Sequence, residues 1–379
     1  MLHQRRLLSR MDPWLLIIVA LLVSIGLVMI YSSTRAALVA ADRSPTAKVR
    51  LQVIWLLIAL VAMMVAALLD YEKIASLAIP IMGVVVLLLV AVLVIKFVFP
   101  DYGNVRGTVR WLELGPIRIQ PSELAKIAVI IGLSVFLVNR DDEVDTLSLV
   151  SRSLLWAAIP AILIFRQPDM GTPVVLVFIW LVTLFAAGAR IQHLAAYVLV
   201  GALLFGAAWS LNIIDDSQKL RVTSFLHPED DISGAGYHLR QSMIAIGSGG
   251  LWGQGLFKGK QTQLNFVPDQ ETDFIFTAIG EEKGFFGGMI LIALFGALLW
   301  RTLLVCLRAK DKLGQLMVAG VAALLFVHVV INIGMSIGLM PVKGMPLPFV
   351  SYGGSSLVAN MLCIGLVENV HMRRHKIAF

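Results

Sequence analysis

The chain has 379 residues, of which 58% are hydrophobic and only 15% charged, and its formal net charge is +7. This balance excludes an ordinary soluble domain, because apolar runs of about 18 residues or more recur along the sequence and suffice to cross hydrocarbon. An integral membrane protein is expected, and its positive excess favours anionic lipid at the membrane surface.

In chain order the apolar runs occupy residues 14–30, 51–69, 77–99, 124–138, 154–165, 174–187, 194–211, 285–306, 317–340 and 357–370. Lipid offers the backbone no water, and runs this continuous suit helices rather than the alternating strands of a barrel. The expected fold class is all-α: one polytopic bundle over residues 1–379 with about ten spans. Lys and Arg near the span ends set its orientation. Arg5, Arg6 and Arg10 precede the first span, Arg308, Lys310 and Lys312 separate the eighth from the ninth, and Arg373, Arg374 and Lys376 follow the last. An even number of spans puts these three sets on one side, the cytoplasm, although Arg35, Arg43, Lys48 and Arg50 in the first outer loop weaken the bias.

The first run exceeds a signal-peptide core and lacks a small-residue cleavage site, so it is expected to stay as an anchor. Cys306 and Cys363 fall inside spans at no paired spacing and read as small apolar packing residues. No internal repeat is visible, which counts against many transporter folds. Three longer connections, residues 100–122, 212–284 and 341–356, lie on the outer face, where the chemistry is expected. The largest is rich in Gly and aromatics and is expected to fold over the bundle.

Three polar stretches stand out in these connections. In RWLELGPIRIQPSELAK, residues 110–126, Pro121 suits a first helical turn, and Glu123 then sits at the positive end of the helix dipole. Lys126, three residues on, can pair with it; an ion pair inside a span usually lines a cavity, the reading favoured over a simple helix-start acid. Arg110, Arg118 and Lys126 together suit a pyrophosphate, or the two arginines reach lipid head groups.

In NFVPDQETDFIFTAIGEEKGFFGG, residues 265–288, a helix over 273–282 would put Asp273, Thr277 and Glu281 on one face. Asp273 abuts the apolar run 285–299, where loss of solvation and neighbouring acids would favour a general base; Asp269 and Glu271 would face water. In MPVKGMPLPFVSYGGSS, residues 340–356, three prolines forbid a continuous helix, and the backbone either lines a cavity or is a plain Pro/Gly turn. His227, His238 and His328 are scattered and read as packing or surface residues, and no metal-ligand spacing is seen.

Together with MDPWLLIIVALLVSIGLVMIYSS near the start, the loop from RVTSFLHPEDD through KGKQTQLNFVPDQETDFIF, and NIGMSIGLMPVKG, these stretches resemble the SEDS family of shape, elongation, division and sporulation proteins. KGKQTQLNFVP and GMPLPFVSYGG look like its elongation branch; a division or sporulation paralogue is the alternative within the family. The resemblance implies a ten-helix bundle with both ends in the cytoplasm of a bacterium. It also implies a multi-pass protein of the inner membrane that polymerises lipid II on the extracytoplasmic side, extending a lipid-linked glycan. The implied partners are a class B penicillin-binding protein, other elongation-complex proteins and membrane lipid, with no nucleic acid.

The resemblance makes Asp273 the essential acid and places Arg110, Trp111, Gln120, Glu123 and Lys126 in the cavity. Thr272, Ser351 and Ser355, from the same stretches, complete the expected substrate-binding set. Arg110 and Lys126, or a divalent cation of unidentified kind, would stabilise the leaving pyrophosphate. Two positions depart from the family pattern: Glu271 stands where His is common, and Lys283 where Leu is usual. Two rivals stand beside this reading: a lipid-linked oligosaccharide flippase, which the same polar cavity would serve, and a scaffold that only recruits the penicillin-binding protein.

Overall fold

The computed structural model describes residues 9–98, 110–114, 117–167, 169–212, 214, 216–227, 231 and 234–374. Arg5, Arg6 and Lys376 of the orientation argument, and residues 100–109 of the first long outer connection, lie outside the described residues. Within them the chain is a helical bundle: α1 Pro13–Ala40, α2 Ala47–Leu68, short α3 Tyr71–Ser76, α4 Ala78–Val98, α5 Pro121–Val138, α6 Leu147–Phe165, α7 Gly171–Ala187 and α8 Ile191–Ser210. Then come α9 Asp216–Leu226, α10 Ala235–Gly249, α11 Lys260–Gln263, α12 Ile275–Leu307, α13 Lys312–Ser336 and α14 Gly354–Met372. Strands β1 Leu112–Leu114 and β2 Ile117–Ile119 pair as one antiparallel hairpin ahead of α5.

Eight of these helices are long and apolar enough to cross a membrane; α7 is apolar but shorter, and α14 coincides with the tenth expected run. Local chemistry fixes several starts. Asp12 caps α1 by accepting from Trp14 N and Leu15 N, with Pro13 in the first turn, and Asp311 caps α13 through Gly314 N. Asp169 caps α7 by accepting from Gly171 N and Thr172 N.

Apolarity does not sort the helices by depth, but packing does. α13 is 89% buried over its most apolar window and α5 72%, whereas the equally lipid-soluble α8 is 0% buried. α13 lies against α7, α12 and α5, and α14 against α2, so the protein core is built around α5, α13 and α14.

The large connection is ordered around three helices, α9, α10 and α11, and α10 packs on α12. Gly284 breaks α12 with φ +65° and ψ −163°, a conformation open to glycine but costly for other residues. There Phe285 N and Phe286 N donate to Gly250 O and Leu251 O, so the segment before Gly284 belongs to the loop assembly and the run from Phe285 is the eighth span.

Long-range contacts define two ends. At one end, Asp12 meets Arg301, Glu72 meets Lys310, Asp141 meets Lys312, and Tyr71 donates to Asp311. These join the amino end, the connections after α2, α5 and α12, and the region of α14 where Arg373 donates to Leu68 O. At the other end, Lys48 meets Glu271, Gln52 accepts from Gly353 N, and Gln270 donates to Ser33 O. This alternation is what ten spans require.

Candidate active site

Asp273 sits in a turn, not in a helix. Thr272 N and Asp273 N both donate to Asp269 O, and α12 begins only at Ile275. The expected helical face shared by Asp273, Thr277 and Glu281 therefore does not form. Thr277 Oγ1 lies 2.5 Å from Ser242 Oγ, while Glu281, fully buried, accepts from Gln261 N and from Thr262 N and Oγ1 and so holds the start of α11. Those two serve the fold, and of the three Asp273 alone remains half-buried, at the edge of the motif loop, residues 340–356. Glu271, expected to face water, is tied to Lys48, and its carbonyl accepts from Tyr352 N.

The third polar stretch wraps this turn. Asn332, on α13, donates from Nδ2 to Asp273 O at 2.8 Å and to Met345 O at 2.6 Å. Ser351 Oγ donates to Thr272 O at 2.5 Å and accepts from Leu347 N at 2.9 Å. Gly344 takes φ +62°, and a Cβ there would stand 3.1 Å from Asp273 Oδ2. Backbone thus passes the carboxylate at a distance that glycine permits. Of the two readings left open by the sequence, the Pro/Gly stretch is more than a plain turn, since it is clamped onto the Asp273 turn by Asn332 and Ser351.

The first stretch arrives from the side. Glu113 and Arg118 face each other across the hairpin at 2.9 Å, and Arg118 O accepts from Ser355 Oγ at 2.8 Å. Ser355 also accepts from Gln120 N, and Gln120 Nε2 donates to Ser122 Oγ. Arg110 Nε donates to Gln167 O at 3.2 Å, and Trp111 is half-buried beside it. Glu123 and Lys126 form the expected pair at 2.8 Å, but at 4% and 2% exposure they lie inside protein.

The expected substrate set therefore divides. Arg110, Trp111, Gln120 and Thr272 are half-buried around Asp273's end of the bundle. Ser351 and Ser355 bind backbone groups of the protein and so join the stretches. Glu123 and Lys126 are packed away rather than lining an open cavity, because each satisfies the other in a place water does not reach.

Three residues with a part in this geometry escaped the sequence reading. His328, expected to be a packing or surface residue, is buried with Nε2 3.2 Å from Lys126 Nζ and Nδ1 3.3 Å from Pro346 O. Asn332 holds Asp273 and Met345, as above. Lys343, next to Gly344, is half-buried, and no described residue hydrogen-bonds or ion-pairs with its ammonium; burial pushes that ammonium below the usual lysine range. A signal existed for the first two: polar residues four apart inside an apolar run share a helix face. For Lys343 the signal was a lone cation in a Pro-rich segment beside the membrane.

Among the described residues no three His, Cys, Asp or Glu side chains converge as a metal site. A cleft of about 410 Å³ between α7 and α8, lined by Leu181, Phe185, Leu194 and Val198 among others, is apolar and contains none of the site residues.

The fold and the site define a polytopic helical membrane protein in which the half-buried Asp273 carboxylate lies against the third polar stretch, to which Ser355 joins the first. The model of the FtsW, RodA and SpoVE cell cycle protein family matches residues 13–376, and the chain belongs to that family. It is 43% identical over 269 residues to the peptidoglycan glycosyltransferase MrdB of Escherichia coli (strain K12), covering 71% of this chain and 72% of that one. Its fold matches a chain of a peptidoglycan synthase complex that coordinates polymerization and crosslinking, with a TM-score of 0.80 at 29% identity over 97% of this chain and 99% of that one. It also matches the rod shape determining protein RodA of Thermus thermophilus, with a TM-score of 0.68 at 28% identity over 97% and 98% of the two chains.

Proposed function

We propose that this protein is a peptidoglycan glycosyltransferase that polymerises lipid II into glycan strands during cell elongation, with Asp273 as general base. The observation that carries the reading is the placement of the Asp273 carboxylate, half-buried against Gly344 of the third polar stretch. Family membership and the likeness to MrdB support the reaction class. In this reading the Asp273 end faces outward from the bacterial inner membrane, and the end carrying the Lys310 and Arg373 contacts faces the cytoplasm.

The acceptor's sugar hydroxyl gives its proton to Asp273 as its oxygen attacks the donor's anomeric carbon, and the bond from that carbon to the lipid pyrophosphate breaks with inversion. Pyrophosphate is a good leaving group once its charge is matched, so no second carboxyl need donate a proton, in contrast to a glycosidase pair. Arg110, held by its bond to Gln167 O, and Lys343, beside Gly344, are assigned the charge of the departing group, while the buried Lys126 is engaged by Glu123. A divalent cation carried in with the pyrophosphate would add to the same charge; no step depends on one here. A class B penicillin-binding protein, with other elongation proteins, would take the product; the likeness to a chain of a polymerising and crosslinking complex supports that pairing.

The test is a gel of products from purified wild-type and Asp273→Asn protein with labelled lipid II, with and without the cognate penicillin-binding protein and with chelator in a parallel lane. Wild-type polymer and a loss of about 10²- to 10⁴-fold in the variant are expected. No polymer from either form, with labelled lipid moved across liposomes, would make the protein a flippase instead.

A further inference from the structure

Lys126 is a cation with no visible route to substrate, and His328 a buried imidazole that the proposed mechanism does not use. Their geometry gives both a purpose. An ammonium can only donate, so His328 Nε2 must accept from Lys126; a carbonyl can only accept, so Nδ1 must carry the proton and donate to Pro346 O. One neutral tautomer satisfies both contacts, and Glu123 holds Lys126 from the other side at 2.8 Å. The result is an ordered chain, Glu123 to Lys126 to His328 to Pro346, running from α5 through α13 into the motif loop.

A second rung lies one helical turn away. His328 and Asn332 are four residues apart on α13 and so share a face. His328 grips Pro346 O, Asn332 grips Met345 O, and the same Asn332 amide grips Asp273 O. Residues 345 and 346 are thereby fixed from one side by two neutral side chains, and Lys343 and Gly344, just before them, are fixed over the Asp273 carboxylate.

We infer that His328 is a positioning residue: anchored on the buried Glu123–Lys126 pair, it holds the loop of Lys343 and Gly344 in register with Asp273, so that base and cation meet the two substrates together. This rests on the polymerase reading of the site. Because a misplacement of about 1 Å in a reacting group can cost about 10²-fold, a side chain that never touches substrate can set the rate. Its neutral, two-sided hydrogen bonding suits the task, since it adds no further charge beside the base.

The test uses the protein with its cognate penicillin-binding partner and measures lipid II polymerisation and thermal midpoint for wild type, His328→Leu and His328→Asn. Leu keeps much of the volume and removes both hydrogen bonds. Asn keeps an amide where Nδ1 stands and can still donate to Pro346 O. His328→Leu should lower kcat about tenfold or more with KM for lipid II within about twofold, and His328→Asn should recover most of that loss. Wild-type kcat in His328→Leu, a loss confined to KM, or Asn no better than Leu would overturn the inference. Absence of polymer in the wild type would instead sink the underlying function, so the two failures are separable.

Discussion

The two ends of the bundle are held by different chemistry. Where the termini and the connections after α2, α5 and α12 meet, opposite charges do the joining: Asp12 with Arg301, Glu72 with Lys310, Asp141 with Lys312. At the Asp273 end Lys48 pairs with Glu271, Arg118 with Glu113 and, buried behind His328, Lys126 with Glu123, while the motif loop itself is gripped by neutral groups on backbone carbonyls. Asn332, Ser351 and His328 supply those bonds. A neutral hydrogen bond contributes about 0.5 to 1.5 kcal/mol net, no less than an exposed ion pair, and it leaves the local field to the reacting groups. The charged end serves assembly of the bundle, and the neutral clamp serves geometry at the site.

Substitutions at the two ends should therefore fail in different ways. After the loss of Asp273 itself, the largest effect on activity is expected from Gly344→Ala. The new Cβ would face Asp273 Oδ2 at 3.1 Å from a backbone at φ +62°, so the loop must shift. Polymerisation should fall about tenfold or more, while stability in detergent, read by thermal unfolding, drops only by the about 1 to 2 kcal/mol that a strained left-handed residue costs. A variant that polymerises like wild type would show that the loop does not set the base. Asp12→Ala should do the reverse. It removes the cap of α1, about 0.5 to 2 kcal/mol, and leaves Arg301 without its carboxylate, so unfolding should come earlier while activity per folded molecule is unchanged.

Lys343 ties the comparison to pH. Its ammonium sits below the usual lysine range because burial disfavours the charge, so between its lowered pKa and 10.5 the folded protein has lost a proton that the unfolded chain keeps. In that window stability attributable to this group rises with pH, whereas polymerisation falls as the cation facing the pyrophosphate disappears. The alkaline limb of the rate profile should move upward in Lys343→Arg, because guanidinium stays charged. A limb identical in both proteins would remove Lys343 from the reaction.

How much of this was legible in the sequence depends on whether the signal was local. The spans were, because a lipid-soluble helix must be apolar along its length, and the start of the eighth span at Phe285 coincides with the break at Gly284. Asp273 was, because a carboxylate abutting such a run is costly without a use. Its helical face was misjudged, since the turn closed on Asp269 O takes Asp273 and Phe274 out of the helix, which begins at Ile275. Depth was not legible either: α8 and α13 are both apolar, and only tertiary packing buries one and leaves the other to lipid. His328 and Asn332 were visible as polar residues in a span, yet their partners, Lys126, Pro346 and Asp273, are brought to them by folding from other parts of the chain.

The smallest effect should come from the charged end. Lys310 Nζ lies 2.8 Å from Glu72 Oε1, with Glu72 exposed and Lys310 partly so, and the hydrogen bond to Glu72 holds the ammonium above the usual lysine range. A raised lysine pKa contributes stability that is complete below about 10.5 and disappears as pH climbs through the folded value. Water and salt screen the pair, so Lys310→Ala should cost about 0.2 to 1 kcal/mol near neutrality, less at high salt, and leave lipid II polymerisation untouched. Thermal unfolding of both proteins in low and high salt checks this. A loss well above 1 kcal/mol that persists in salt would mean that Lys310 anchors the connection between α12 and α13 as part of a coupled network with Asp311 and Tyr71, and the assembly role of this end would then rest on cooperation rather than on separate pairs.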